Sequence, residues 1–155
     1  MSTNTMIQAT VQVYAIFIKA SPEQIWEAIT KPEFTSRYFH GSNVDSTFEP
    51  GAPYKGWSAD REQLFVDGEV VESDPPRRLS HTWRALWDEE LGSEEPSRVT
   101  WEIEAVDGGF SKLTVVHDQL EGAPKTAAVV ASDMGWMVVL SGMKTLLETG
   151  EPLAG

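Results

Sequence analysis

Apolar and polar residues alternate loosely at the start of the chain, with Val11, Val13, Ala15 and Phe17 interleaved with Gln12, Tyr14, Ile16 and Ile18. β-Branched and aromatic residues at a period of two predict a strand over Thr10 to Ile18, with apolar contacts on both faces. The period then changes. In SPEQIWEAIT, Ser21 is a natural N-cap, Pro22 suits the first helical position, and Gln24 stands three residues after the cap, where it can reach back to the backbone. A short helix starting there carries Ile25, Trp26 and Ile29 inward; Thr30, Lys31 and Pro32 break it, and Glu33 to Tyr38 supplies a further turn or two.

From Gly41 to Gln119, Gly, Pro, Asp and Asn punctuate short strand-like runs, the signature of an antiparallel meander. The predicted strands are Asp45 to Phe48, Tyr54 to Ala59, Gln63 to Glu72, Leu79 to Trp83, Arg98 to Glu104 and Lys112 to Gln119. Asp107-Gly108-Gly109 predicts a hairpin, because glycine accepts the positive φ of a tight turn. The last third is helical in period: Val129, Trp136, Leu140, Met143 and Leu147 share one face of a helix expected from Thr126 to Glu148, with Gly150 and Pro152 as its stop. Strand, short helices, meander and long helix predict an α+β helix-grip fold. A curved antiparallel sheet of about six or seven strands wraps on the C-terminal helix, which has nowhere else to bury its apolar stripe.

Composition narrows the class. The 155 residues suit one domain spanning 1–155, with its core from about 10 to 152, and no repeat or linker divides them. Twelve Lys and Arg against 24 Asp and Glu leave a formal charge of −12, which disfavours nucleic acid and anionic membrane surfaces. No cysteine is present, so disulfides, thiolate metal sites and a cysteine nucleophile are excluded. The N-terminal stretch has no signal-like apolar region and no run of about 18 apolar residues occurs, so a cytoplasmic protein without membrane insertion is expected.

Two longer stretches, GEVVESDPPRRLSHTW at 68–83 and GWMVVLSGMKTLLETGEPL at 135–153, go beyond periodicity. Together with Pro22-Glu23-Gln24-Ile25-Trp26 and Arg98-Val99-Thr100-Trp101, they resemble the AHSA-type branch of the START-like (SRPBCC) superfamily, from about Val11 to Pro152. That branch holds bacterial relatives of the activator of the heat-shock-protein ATPase. The resemblance implies the helix-grip fold, and a superfamily of lipid carriers, polyketide cyclases, hormone receptors and co-chaperones. A chaperone partner and a role in stress response are what it implies for this chain, although no counterpart of the eukaryotic activator's additional N-terminal domain is seen. The motifs themselves have plain structural roles: Asp74-Pro75-Pro76 ends a strand and turns it, and Gly135 lets Trp136 sit where helix and sheet approach closely.

Strand parity groups Leu79, His81 and Trp83, then Val99, Trp101 and Ile103, then Leu113, Val115 and His117. Taken as inner faces, they place His81, Trp83, Trp101 and His117 around a cavity with Trp136, Met137 and Leu140 of the helix. Trp57 and Phe65 join them unless a bulge shifts their parity. An aromatic pocket with a few polar handles suits a hydrophobic or aromatic small molecule; the same rings also suit simple core packing.

His81 and His117 raise the alternative of a metal site or an acid–base pair, but two isolated histidines are more commonly hydrogen-bonded core residues, and no cofactor or metal is expected. Asp133 lies on or beside the helix stripe, either serving a ligand hydroxyl or histidine, or facing water. The acidic segment from Ala85 to Ser97 reads as a lid, a docking flap or a solvated insertion. No catalytic motif is evident. A non-enzymatic binding domain is therefore the leading expectation, with a chaperone-cofactor domain second and a cyclase- or hydrolase-type enzyme using His81, His117 or Asp133 third.

Overall fold

A computed structural model of the chain describes residues 10–153. The first strand, β1 (Gln12–Ile18), is followed by α1 (Pro22–Thr30) and α2 (Pro32–Tyr38), then by the meander β2 (Asn43–Asp45), β3 (Pro53–Trp57), β4 (Leu64–Asp74) and β5 (Arg78–Ala85). A short α3 (Glu89–Gly92) precedes β6 (Ser97–Val106) and β7 (Phe110–Asp118), and the chain ends in α4 (Pro124–Val130) and α5 (Val138–Thr149). All seven strands pair antiparallel in the order β1-β7-β6-β5-β4-β3-β2, so the first strand closes beside the last. This is the helix-grip arrangement.

Local chemistry explains the elements. Gln24 N–H donates to Ser21 Oγ at 3.2 Å, and Ser21 N–H donates to Gln24 Oε1 at 2.8 Å, so cap and third helical residue satisfy each other. Gly108 and Gly109 hold φ of 110° and 87° in the β6–β7 hairpin, where Val106 pairs with Phe110. The nine residues grouped by parity on β5, β6 and β7 are all buried and belong, with the helices, to one core. In register, Leu79 lies opposite Trp101, His81 opposite Val99, and Val99 opposite His117.

Three expectations are corrected. The strand expected at Asp45 to Phe48 is Asn43–Asp45, because Phe48 takes a left-handed φ of 59° and leaves the ladder. The segment from Ala85 to Ser97 contains α3, whose N-terminal amides at Glu90 and Leu91 are capped by Asp88. The expected single helix from Thr126 to Glu148 is two helices meeting at 46°. Ser132 is extended (φ −74°, ψ 171°), and Gly135 is non-helical at φ −89°, ψ −129°, so the helical path is kinked within Asp133–Met137. Glycine is required at the break, since a Cβ on Gly135 would lie 2.1 Å from the Val130 carbonyl oxygen. Among the described residues no single helix is long and apolar enough to cross a membrane.

Candidate ligand site

The two buried histidines are each held by a tryptophan. Trp101 Nε1–H donates to His81 Nε2 at 3.0 Å, and since the Thr82 carbonyl can only accept, His81 Nδ1 donates to it at 2.9 Å. Trp136 Nε1–H donates to His117 Nδ1 at 3.0 Å; His117 Nε2–H then donates to Ser97 Oγ at 2.7 Å, and Ser97 Oγ–H donates to the Trp83 carbonyl at 3.0 Å. Both rings are thus neutral with one tautomer each. Burial lowers His81 to about 4, against the bond to Thr82 that favours its charged form. Burial, then the charge of His81, lowers His117 to about 3. Tyr54 stacks on His81 with ring centroids 3.8 Å apart.

A cavity of about 420 Å³ opens beside this network, within the range of roughly 300–1,000 Å³ typical of small-molecule sites. Its sheet side is Phe65, Val66 and Trp83; its helix side is Val129, Val130, Met134, Gly135, Trp136 and Val139, grouped around the helix break. Phe39, His40 and Ser42 after α2 and Trp87 of the acidic segment complete it. Adjacent residues of a strand ordinarily point to opposite faces, yet Phe65 and Val66 both reach the cavity. The reason is in the register: Gly56 pairs with Val66 and Trp57 with Leu64, leaving Phe65 as the extra residue of a bulge.

Of the residues singled out in the sequence, Phe65, Trp83 and Trp136 line the cavity. His81, Trp101, His117 and Leu140 lie in the packed core behind it. His117 reaches the wall only through Trp83 and Trp136, whose rings it meets edge-on at 5.3 and 6.0 Å. Met137 is 56% exposed and Asp133 is exposed. Trp57 is half-buried with Lys55 Nζ 5.9 Å from its ring centroid. His81, His117 and Asp133 therefore do not converge on a reachable point, and neither buried imidazole has an unbonded nitrogen. Among the described residues no three His, Asp or Glu side chains are placed to hold a metal ion.

Sequence reasoning missed Phe39, His40, Ser42, Val66, Val130, Met134 and Val139. Trp87, an isolated aromatic in an acidic stretch, Val129, on the helical stripe, and Gly135, before Trp136, carried a signal without being placed at the site. The acidic segment is built into the site: Glu94 accepts from the backbone amides of Lys125 and Thr126 and from Thr126 Oγ1 at 2.7–2.8 Å, capping α4. Trp83 and Trp87 meet edge-on at 5.9 Å. A second groove at the other end of β5 carries Arg77, Arg78, Glu102, Glu104 and Lys112, and Arg78 is already paired with Glu72 and Glu102.

The family described as Activator of Hsp90 ATPase homolog 1-like protein matches residues 19–148. The chain belongs to this family. Among solved structures, CalU16 from Micromonospora echinospora is similar at a TM-score of 0.69 and 18% identity, over 93% of this chain and 77% of that one. An HSP90 activator from Plasmodium falciparum is similar at 0.69 and 18%, over 93% and 99% of the two chains. The Aha1 dimer from Colwellia psychrerythraea is similar at 0.69 and 19%, over 92% and 98%. At these identities the likeness carries the fold alone. No curated protein matches the sequence.

Proposed function

We propose that this member of the Activator of Hsp90 ATPase homolog 1-like family is a non-enzymatic binding domain that encloses a hydrophobic or aromatic small molecule between its sheet and its C-terminal helices. One observation carries the reading: a cavity of about 420 Å³ whose wall is aromatic and aliphatic except for His40 and Ser42. A cavity of that kind is the default ligand site of a fold. Among the described residues His81, His117 and Asp133 do not converge on the cavity, which favours holding a molecule over transforming it.

Native mass spectrometry of gently purified protein, followed by calorimetric titration with apolar arenes, tests it. Bound mass or saturable binding is expected, and Val139→Trp, which fills the cavity from α5, abolishes it while the protein still melts cooperatively. Failure of every arene to bind, with no co-purified mass, overturns the proposal. The second reading, a chaperone-cofactor domain, is supported by family membership. It expects co-purification with an Hsp90-type chaperone and a changed ATPase rate on mixing; neither effect would leave it without support.

A further inference from the structure

The ligand-binding reading is the basis of a finer inference about what the cavity prefers. His40 Nε2 lies 2.9 Å from the Met134 carbonyl, which can only accept, so this nitrogen carries the proton and in the neutral ring Nδ1 is left as a bare acceptor. Ser42 has committed its proton too: Oγ donates to the Phe39 carbonyl at 2.7 Å and keeps its lone pairs. These are the two polar residues of the wall apart from the tryptophans. The indole N–H of Trp136 is taken by His117, whereas those of Trp83 and Trp87 make no hydrogen bond among the described residues. Residues of the wall thus carry two acceptors, on the exposed His40 and the half-buried Ser42, and two unbonded indole N–H groups, on Trp83 and Trp87, and they include no Lys, Arg, Asp or Glu.

A carboxylate entering such a site gives up its hydration for a wall without a cation, meets two acceptors it cannot satisfy, and works against a net charge of −12. An organic cation finds no counter-charge on the wall. An ether or ketone leaves the acceptors unpaired, which carries a desolvation cost. A hydroxyl on an aromatic ring fits all terms at once, donating its proton to the acceptors and accepting from an indole while the ring covers apolar wall. We propose that the cavity selects an uncharged arene bearing a hydroxyl group, read by His40 and Ser42.

Three naphthalenes of one ring size separate the possibilities by calorimetry at neutral pH: 2-naphthol, 2-methoxynaphthalene and 2-naphthoate. The naphthol is expected to bind about tenfold tighter than the ether and the naphthoate more weakly than either. His40→Phe and Ser42→Ala, made separately and checked for an unchanged melting temperature, each narrow the naphthol-to-ether ratio, because the naphthol loses a partner and the ether no longer leaves that acceptor unpaired. The ligand series needs no variant, so it stands even if one of these fails to fold. Equal affinity of naphthol and ether, or naphthoate binding as tightly as naphthol, overturns the selectivity while leaving the ligand-binding reading in place. Binding by none of the three overturns both.

Discussion

Trp136 does two jobs with one side chain. Its ring forms part of the cavity wall and its N–H holds the tautomer of His117, which in turn orients Ser97 against the Trp83 backbone. Replacing it with phenylalanine keeps most of the ring but leaves His117 Nδ1 buried without a donor, and an unsatisfied buried acceptor costs about 1–3 kcal/mol. Trp136→Phe is therefore expected to lose stability of that order in urea unfolding, and ¹⁵N spectra should show the His117 ring leaving its single tautomer. An unchanged ring signature would mean that the bond does not set the tautomer. At this scale the sequence was legible in part: parity alone grouped His81, Trp83, Trp101 and His117 on one buried face. What parity does not carry is depth along that face. Three of those four side chains stop in the core, and only Trp83 extends to the cavity.

The C-terminal helices show where element-level reading stops. Val129 and Trp136 are seven residues apart, a spacing that fits two turns of an unbroken helix. It fits the bent pair equally well, so periodicity passed over the break. The cues were Ser132-Asp133 and Gly135, residue types that favour caps and irregular backbone. Gly135→Ala places a methyl 2.1 Å from the Val130 oxygen and 2.8 Å from that of Val129. A loss of about 2–4 kcal/mol is expected from backbone that has to move. Gly142→Ala, whose Cβ would meet Tyr38 Cβ at 3.3 Å, is the milder comparison, and equilibrium unfolding of both variants checks the order. If Gly135→Ala matched wild type, the break would not depend on glycine. Strand existence and hairpin chemistry were legible because each rests on neighbours in sequence. The bulge at Phe65 rests on the register of β3 against β4 and was not.

Over the whole molecule, the two neutral histidines couple folding to pH. Unfolded imidazoles titrate near 6.5, whereas the folded values are about 4 and 3. Between those limits the unfolded chain binds protons that the native chain refuses. The contribution is fully present above 6.5 and is lost as pH falls toward the folded values, at up to about 1.4 kcal/mol per pH unit for each ring. Asp60, Glu94 and Glu148, all lowered, add their losses at more acid pH. Urea unfolding between neutral pH and about pH 5 should therefore show falling stability, with a slope shallower by about one proton in His117→Asn. An identical slope in the variant would remove His117 as a source.

Half of the protein's six tryptophans, Trp83, Trp87 and Trp136, stand on the cavity wall, and Trp87 is 47% exposed. The site consequently carries its own optical probe. A molecule that settles there shields Trp87 from water and shifts its emission to the blue, and an absorbing arene takes excitation energy from all three rings. Because His117 stays uncharged down to mildly acid pH, it does not become a quenching imidazolium beside Trp83 and Trp136 in that range.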